Sequence, residues 1–427
     1  MGTDVLVIGL GYVGLPLARE AARAGFSVTG YDTRMEIATA LNAGRSHVDD
    51  LSDEQVAEMV SLGFRATADA ASLAETPPDV IVICVPTPLS PADGPDLTAV
   101  RAAAQTAGAL LRPGTLVSLE STTYPGTTDE VVRPILEKAS GHTVGIDFSL
   151  AFSPERIDPG NPDFGLRNTP KVVGGVTPSC TAAALSFYAR ICDRVVQAKS
   201  AREAEMAKLL ENTYRHVNIA LVNEMAVFCR ELGVDLWDAI RCAATKPFGY
   251  QAFYPGPGVG GHCIPIDPNY LSYKVRTLGY PFRFVELAQE INGRMPGYVT
   301  ERAAELLNRH AQPLNGARIL LLGVTYKKDI ADQRESPARP IARKLRARGA
   351  DVRYHDPLVA EWLVDDTPVA RAADLDTAIG AADLVILLQA HSAYDPAAIA
   401  ARARLLLDTR GAASPTVSAQ AAHVETL

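Results

Sequence analysis

Residues 4–14 read DVLVIGLGYVG, an apolar run that stops abruptly at a cluster of glycines. An apolar run of this kind suits a strand buried on both faces of a parallel sheet. Gly9, Gly11 and Gly14 then fall at the spacing G-x-G-x-x-G, directly after that strand and before a helical stretch. In this pattern the first glycine makes the tight turn, the second lets the backbone approach a pyrophosphate, and the third lets helix and strand pack closely. The helix N-terminus faces the phosphate charge. The pattern alone would also fit a structural turn, but its context decides for a dinucleotide. FSVTGYD, residues 26–32, reads as a second strand ending at Asp32, near the offset of about 20 residues at which an acid binds a ribose 2′-OH. An acid there disfavours a 2′-phosphate and so prefers NAD to NADP, although Arg34 follows two residues later.

Working outward, DVIVICVP at 79–86 and TLVSLES at 115–121 repeat the buried-strand pattern, with alanine-rich helical stretches between them. Strand and helix alternate over roughly the first 190 residues, which predicts a doubly wound α/β domain. The alternation returns in ARILLLGVTY (317–326), DVRYHDP (351–357) and ADLVILLQ (382–389). A second α/β domain is expected there, and without a G-x-G-x-x-G it should hold something other than a dinucleotide. The predicted division is 1–197, 198–300 and 314–427: two Rossmann-like doubly wound domains joined by a central helical domain.

The central stretch opens with SARE, in which Ser200 and Glu203 have capping-box spacing. No Gly or Pro follows until after Leu232, so a helix about 45 Å long is predicted. Met206, Leu210, Tyr214, Val217, Leu221, Met225 and Phe228 recur every three or four residues and give it one apolar face. A helix of that length commonly links domains or pairs with a partner subunit. Lys208 and Asn212 lie roughly opposite the apolar stripe. From spacing alone they fit a solvated face as well as a cation–amide pair that holds an oxyanion.

Two loops follow different rules. FSPERIDPGN (152–161) sets Glu155, Arg156 and Asp158 among turn formers. YPGPGVGGHC (254–263) carries Gly256, Gly258, Gly260 and Gly261, a backbone able to approach a ligand closely. Asp267 and Pro268 then read as the N-cap and first residue of another helix. Cys263 could be a small buried apolar residue. Near a helix start and a lysine it could instead be a nucleophilic thiolate, able to capture an aldehyde beside a nicotinamide so that a second hydride can leave.

With 427 residues, two or three domains are the default. A net charge of -8 argues against nucleic acid as the main partner. The six cysteines are scattered without CxxC pairs and read as reduced thiols of a cytoplasmic protein. The N-terminal stretch has no basic leader, and no apolar run approaches the ~20 residues of a membrane span.

GLGYVGLP (9–16), CVPTP (84–88), ESTTYPGTT (120–128), SPERIDPGN (153–161), AKLLENTYR (207–215), PGPGVGGHCIPID (255–267) and GVTYKKDIADQRES (323–336) occur in that order. Together they resemble the nucleotide-sugar 6-dehydrogenases, the UDP-glucose, UDP-N-acetylhexosamine and GDP-mannose dehydrogenase group, over nearly the whole chain. The resemblance implies a homodimer formed through the long helix and a four-electron oxidation of a sugar C6 alcohol to a carboxylate with two NAD. It implies NAD contacts from Gly9, Gly11, Tyr12, Val13, Gly14, Asp32, Arg34, Thr87, Ser121, Thr122 and Arg334. It places Glu155, Arg156, Lys208, Asn212, Lys246, Tyr254, Gly258, Gly260 and Lys327 at the nucleotide sugar. Cys263 would form a thiohemiacetal and then a thioester, Lys208 and Asn212 would steady the oxyanion, and Asp267, or Lys208 through a water, would be the base. Water near Thr122, Glu155 and Asp267 would hydrolyse the thioester.

Two positions depart from the UDP-glucose branch. Pro159 stands where that branch commonly has a second glutamate, and Lys246 near where it has an arginine from the neighbouring subunit. Both features resemble the bacterial branch that includes UDP-N-acetylglucosamine 6-dehydrogenases. A β-hydroxyacid dehydrogenase and a non-catalytic dinucleotide-binding module are the rival readings; His262 is given no role.

Overall fold

The computed structural model describes residues 3–48, 51–89, 94–158, 161, 163–261, 264–413 and 423–427. The chain divides into two compact units, Met1–Glu211 with Asn269–Pro281, and Asn212–Pro268 with Phe282–Leu427.

The first unit is built on β1 (Asp4–Ile8), β2 (Ser27–Tyr31), β3 (Arg65–Thr67), β4 (Val80–Ile83), β5 (Leu116–Leu119), β6 (Ser149–Phe152), β7 (Lys171–Gly175) and β8 (Val195–Gln197). They form one sheet in the order β3-β2-β1-β4-β5-β6-β7-β8. All pairs are parallel except β6 with β7. β4 and β5 are buried at every residue, because helices cover both faces, as their unbroken aliphatic sequence requires. One core packs Val5, Val7 and Val82 against the helices Gly14–Arg23 and Met35–Asn42; the other packs Leu6, Ile8, Ile81 and Ile83 against Thr98–Leu110. Chain order reverses between β1 and β4, so the loops leaving β1, β4 and β5 line the crevice in which such sheets bind ligands.

The second unit repeats the arrangement with β9 (Arg318–Leu322), β10 (Asp351–His355), a β11–β12 hairpin (Leu363–Val364, Thr367–Pro368), β13 (Ala370–Arg371), β14 (Leu384–Leu387), β15 (Leu406–Asp408) and β16 (Val424–Thr426). The order β13-β10-β9-β14-β15-β16 is parallel throughout. Both doubly wound sheets are therefore as predicted.

The long helix is Ala201–Glu231, 31 residues, matching the expected length. Its start differs in detail from a capping box. The Ser200 hydroxyl accepts from Arg202 N and donates to the Glu203 carboxylate, so the serine serves the second helical amide rather than the third. The reciprocal box forms at Ser52 and Gln55 instead.

The faces of the helix also have an unexpected arrangement. Met206, Leu210, Tyr214, Leu221 and Phe228 of the apolar stripe are exposed, whereas Glu205, Lys208, Asn212, Thr213, His216 and Asn223 are buried. The buried side of the helix therefore mixes these polar groups with Leu209, Ala220, Val222, Ala226 and Cys229, while much of the predicted apolar stripe lies exposed, unlike an ordinary surface helix.

Candidate active site

In the first unit the glycine turn has a steric reason at Gly9 and Gly14. Gly9 has φ +91, donates its N–H to Tyr31 O at 2.8 Å, and a Cβ on it would lie 2.6 Å from Cys84 O. A Cβ on Gly14 would lie 1.9 Å from Gly9 O, so the helix Gly14–Arg23 could not pack this close with any other residue there. Gly11 has nothing within 4 Å of that position, which leaves its backbone open to a ligand. No side chain caps the helix, and its first-turn amides suit an anion.

Asp32 is buried; its Oδ2 accepts from Leu10 N (3.2 Å) and its Oδ1 from Arg34 N (3.1 Å) and Arg34 Nε (3.2 Å). Arg34 is thus folded back to orient the carboxylate, which answers the question its position raised about a 2′-phosphate. The crevice fits NAD, with an open glycine backbone for the pyrophosphate and a fixed acid for the ribose.

The loops after β4 and β5 are bound to each other. Thr87 Oγ1 donates to Thr122 O at 2.8 Å, and Ser121 Oγ to Val85 O at 2.7 Å. Tyr270 OH donates to Thr87 O. The hydroxyls of Thr87 and Ser121 therefore shape the crevice wall.

Beyond Thr122, Glu205 on the long helix accepts from Gly126 N (2.5 Å), Thr128 N (2.9 Å) and Thr128 Oγ1 (2.7 Å). Burial pushes its carboxyl from 4.5 up to about 7, against the pull of those donors. The folded chain thus holds this proton more tightly than the unfolded chain. The stabilisation is complete below pH 4.5 and is lost as pH rises towards 7. Glu205→Gln should flatten the pH dependence of denaturant-measured stability across that window, by on the order of 3 kcal/mol. An unchanged slope would contradict the assignment.

The loop after β6 joins this unit's part of the long helix. Glu155 is buried; its Oε1 accepts from Arg156 N and Ile157 N, both at 2.6 Å, and its carbonyl oxygen accepts Lys208 Nζ at 2.5 Å. Lys208 is thus buried and turned onto the Glu155 loop, not part of a solvated face. Arg156 contacts Glu211 at 2.7 Å and donates to Pro170 O at 2.6 Å, so its guanidinium staples loop to helix.

In the second unit Asn212, one helical turn after Lys208, donates Nδ2 to Asp267 Oδ2 at 2.5 Å, with both side chains buried. Asp267 is already the first residue of the helix Asp267–Arg276, one position further in than the N-cap its place before Pro268 predicts. Further along the long helix, Asn223 donates to Asn292 Oδ1 at 2.9 Å and accepts from Gly256 N at 2.9 Å. Asn292 in turn faces His216, whose imidazole burial pulls down to about 4. An uncharged amide chain thereby fixes the start of the glycine loop.

The loop's glycines answer mainly to protein packing. A Cβ on Gly260 would lie 2.6 Å from Glu335 O, and one on Gly261 (φ +90) 2.6 Å from the Tyr326 ring. Gly261 N also donates to Arg334 O at 3.1 Å. Gly258 (φ +138) faces Pro337 and Asn292 O. His262 and Cys263 lie outside the described residues.

Tyr254 stacks on Trp237 at 5.5 Å, and exposed Lys246 lies over the Phe248 ring at 5.0 Å. Thr325 donates to Lys327 O at 2.8 Å, and the Arg334 guanidinium is paired with Asp332.

Arg410, which sequence reading did not single out, stands at the end of β15. Its Nε donates to Leu388 O at 2.7 Å, and its NH1 would lie 2.9 Å from a Cβ on Gly256. Burial pulls this guanidinium down to about 10, so it remains a cation at neutral pH.

The second sheet also carries an acid where the first has Asp32. Gly323 N donates to His355 O at 3.0 Å, as Gly9 N does to Tyr31 O. Asp356 Oδ2 accepts from Val324 N at 2.7 Å, and its Oδ1 from Leu358 N at 2.8 Å. Here, however, His391 Nε2 lies 3.2 Å from that carboxylate, while His391 Nδ1 accepts from Asp329 N at 2.9 Å. The imidazole therefore presents an Nε2–H to Asp356, so this carboxylate is already engaged by a side chain. This is a physical reason for the second domain to hold something other than a dinucleotide.

Three family models match in succession: "UDP-glucose/GDP-mannose dehydrogenase family, NAD binding domain" over residues 3–192, the central domain of the same family over 202–294, and its UDP binding domain over 320–415. Among curated relatives, a UDP-N-acetyl-D-glucosamine 6-dehydrogenase of Pseudomonas aeruginosa is 35% identical over 395 residues, 91% of each chain. A UDP-N-acetyl-D-mannosamine dehydrogenase of Pyrococcus horikoshii is 37% identical over 356 residues, 83% of this chain and 84% of the other. A solved structure of a UDP-D-ManNAc dehydrogenase from Pyrococcus horikoshii aligns with TM-score 0.86 and 34% identity, covering 96% of this chain and 95% of that one.

Proposed function

The chain belongs to the UDP-glucose/GDP-mannose dehydrogenase family, and from that premise we propose that it is an NAD-dependent 6-dehydrogenase of a UDP- or dTDP-hexose. The observation that carries this reading is the treatment of one helix: Lys208 and Asn212, a turn apart, are both buried and both aimed at polar partners, Glu155 O and Asp267. A chain does not bury a cation and an amide in this way for solubility.

Gly9, Gly11, Tyr12, Val13, Gly14 and Asp32 would hold NAD, which when bound would supply the acceptor for hydride leaving the sugar C6. The remaining work falls to this chain's side chains. Asp267, or Lys208 through a water, takes the C6 hydroxyl proton. The Cys263 thiolate adds to the resulting aldehyde carbon, and Lys208 and Asn212 donate to the oxyanion of that adduct. Loss of a second hydride leaves a thioester, which a water held by Thr122, Glu155 and Asp267 cleaves. One alcohol, two NAD+ and one water give one carboxylate, two NADH and three protons. Covalent capture keeps the aldehyde from escaping. Tyr254, Lys246, Lys327 and Arg410 supply the stacking surface and cations suited to a nucleoside diphosphate.

The residues 1–197, 198–300 and 314–427 are read as cofactor, central and nucleotide-sugar domains. The exposed stripe Met206, Leu210, Tyr214, Leu221 and Phe228 supports a homodimer through the long helix; light scattering on this 45.5 kDa chain should give twice the monomer mass, and monomer mass would refute it. The free thiols are consistent with a cytoplasmic protein making a uronic acid for glycan synthesis. The relatives named for N-acetylhexosamines support a 2-acetamido sugar. NADH production should be screened against UDP-N-acetylglucosamine, UDP-N-acetylmannosamine, UDP-glucose, dTDP-glucose and GDP-mannose. Turnover with none of them would reject the proposal.

A further inference from the structure

We propose that Lys171, with Glu120 as its counter-ion, is a positioning residue that sets the protonation and orientation of the Glu155 carboxylate. The inference rests on Glu155 belonging to the active site, as argued above. Lys171 opens β7 and is 3% exposed. Its Nζ lies 2.7 Å from Glu120 Oε2 and 3.3 Å from Glu155 Oε2. Glu120, 1% exposed at the end of β5, also accepts Tyr188 OH on Oε1 at 2.6 Å, and Tyr188 OH meets Ser118 Oγ at 2.8 Å. Two carboxylates and one ammonium are thus removed from water together, an arrangement whose desolvation cost is rarely repaid in stability. Its geometry accounts for it. Glu155 Oε1 is held by two backbone amides and Oε2 by Lys171, while the Glu155 carbonyl holds Lys208. The carboxylate is thereby held by two backbone amides and Lys171, and the carbonyl of the same residue by Lys208, with the Lys171 ammonium attracting its charge and the neighbouring Glu120 carboxyl opposing it.

The other titratable or charged groups facing this cluster are few. Cys84 at the end of β4, Cys192 and Tyr188 are all pushed upward by burial and stay neutral. Burial likewise raises the Glu120 carboxyl, with Lys171 pulling the other way. Lys208 touches only the Glu155 carbonyl among these bonds, and Arg156 is paired with Glu211.

The test reads the acid limb of the kcat–pH profile in the full-length enzyme with its sugar nucleotide and NAD. Glu120→Gln removes the repelling charge and leaves Lys171 to Glu155 alone, so the limb should move to lower pH. Lys171→Met combined with Glu120→Gln removes the cation without stranding Glu120, so the limb should move to higher pH by about one to three units. Lys171→Arg in the wild-type background keeps the charge and should leave the limb near its original place. Opposite shifts are not what a merely structural role produces. A limb unmoved in the double variant, or moved the same way in both, overturns the inference. If the double variant does not fold, the sign of the shift in Glu120→Gln decides alone. Glu155→Gln separates the two levels: a wild-type profile in that variant removes Glu155 from the site and the inference with it, whereas a lost limb there with no shift in the Lys171 variants overturns the positioning role only.

Discussion

Cys263→Ser is expected to abolish uronate formation while NAD binds as before. The proposed dinucleotide site is the glycine turn and the Asp32 carboxylate, which the substitution leaves unaltered, so cofactor affinity has no reason to change. A serine hydroxyl at neutral pH is far less ionised than a thiol and lacks its intrinsic nucleophilicity, so the aldehyde would not be captured. Loss of a covalent nucleophile is felt on a scale of roughly 10³-fold or more in kcat. The first oxidation needs no thiol, so some aldehyde should appear where wild type releases none. Uronate at the wild-type rate in this variant would refute the thioester route.

Lys208→Ala carries the second-largest expected effect. Lys208 is buried and its Nζ donates to Glu155 O at 2.5 Å, so its loss acts twice. An oxyanion donor disappears, which costs about 10² to 10³ in kcat. A buried carbonyl also loses its donor, at about 1–3 kcal/mol of stability. Lys208→Arg keeps the charge but offers a planar fork in place of a compact ammonium, so it should recover stability better than rate. NAD affinity should be unchanged in both. If alanine lowers stability and leaves kcat within a few-fold, Lys208 is only a strut between helix and loop.

How much of this could be read in the sequence depended on the range of the forces involved. Local rules located both sheets, because strands buried on two faces must be continuously apolar and the turn after β1 admits only glycine. The start of the Asp267 helix followed from the same kind of rule. What failed depended on partners distant in sequence. The periodicity of the long helix revealed an apolar stripe but not its direction: much of that stripe is exposed, and the buried side carries Glu205, Lys208 and Asn212 among Leu209, Val222 and Ala226. The glycines after Tyr254 suggested room for a ligand, yet Gly260 and Gly261 are small because Glu335 and Tyr326 pack onto them. That Arg156, expected at the nucleotide sugar, is also engaged by Glu211 could not be read from its neighbours. Asp356 repeats the position of Asp32, but only the fold shows that His391 covers it. Arg410 and Lys171 sit at strand ends without any motif of their own, so nothing in their immediate neighbours announced them.

The central claim is a four-electron oxidation by a chain with one NAD crevice and one catalytic thiol. The most direct measurement is the number of NADH formed per nucleotide sugar consumed, taken to completion with the best substrate from the screen. The account predicts two, with uronate as the only sugar product. A ratio of one, with aldehyde as the end product, would contradict it and favour a dehydrogenase of single hydride transfer.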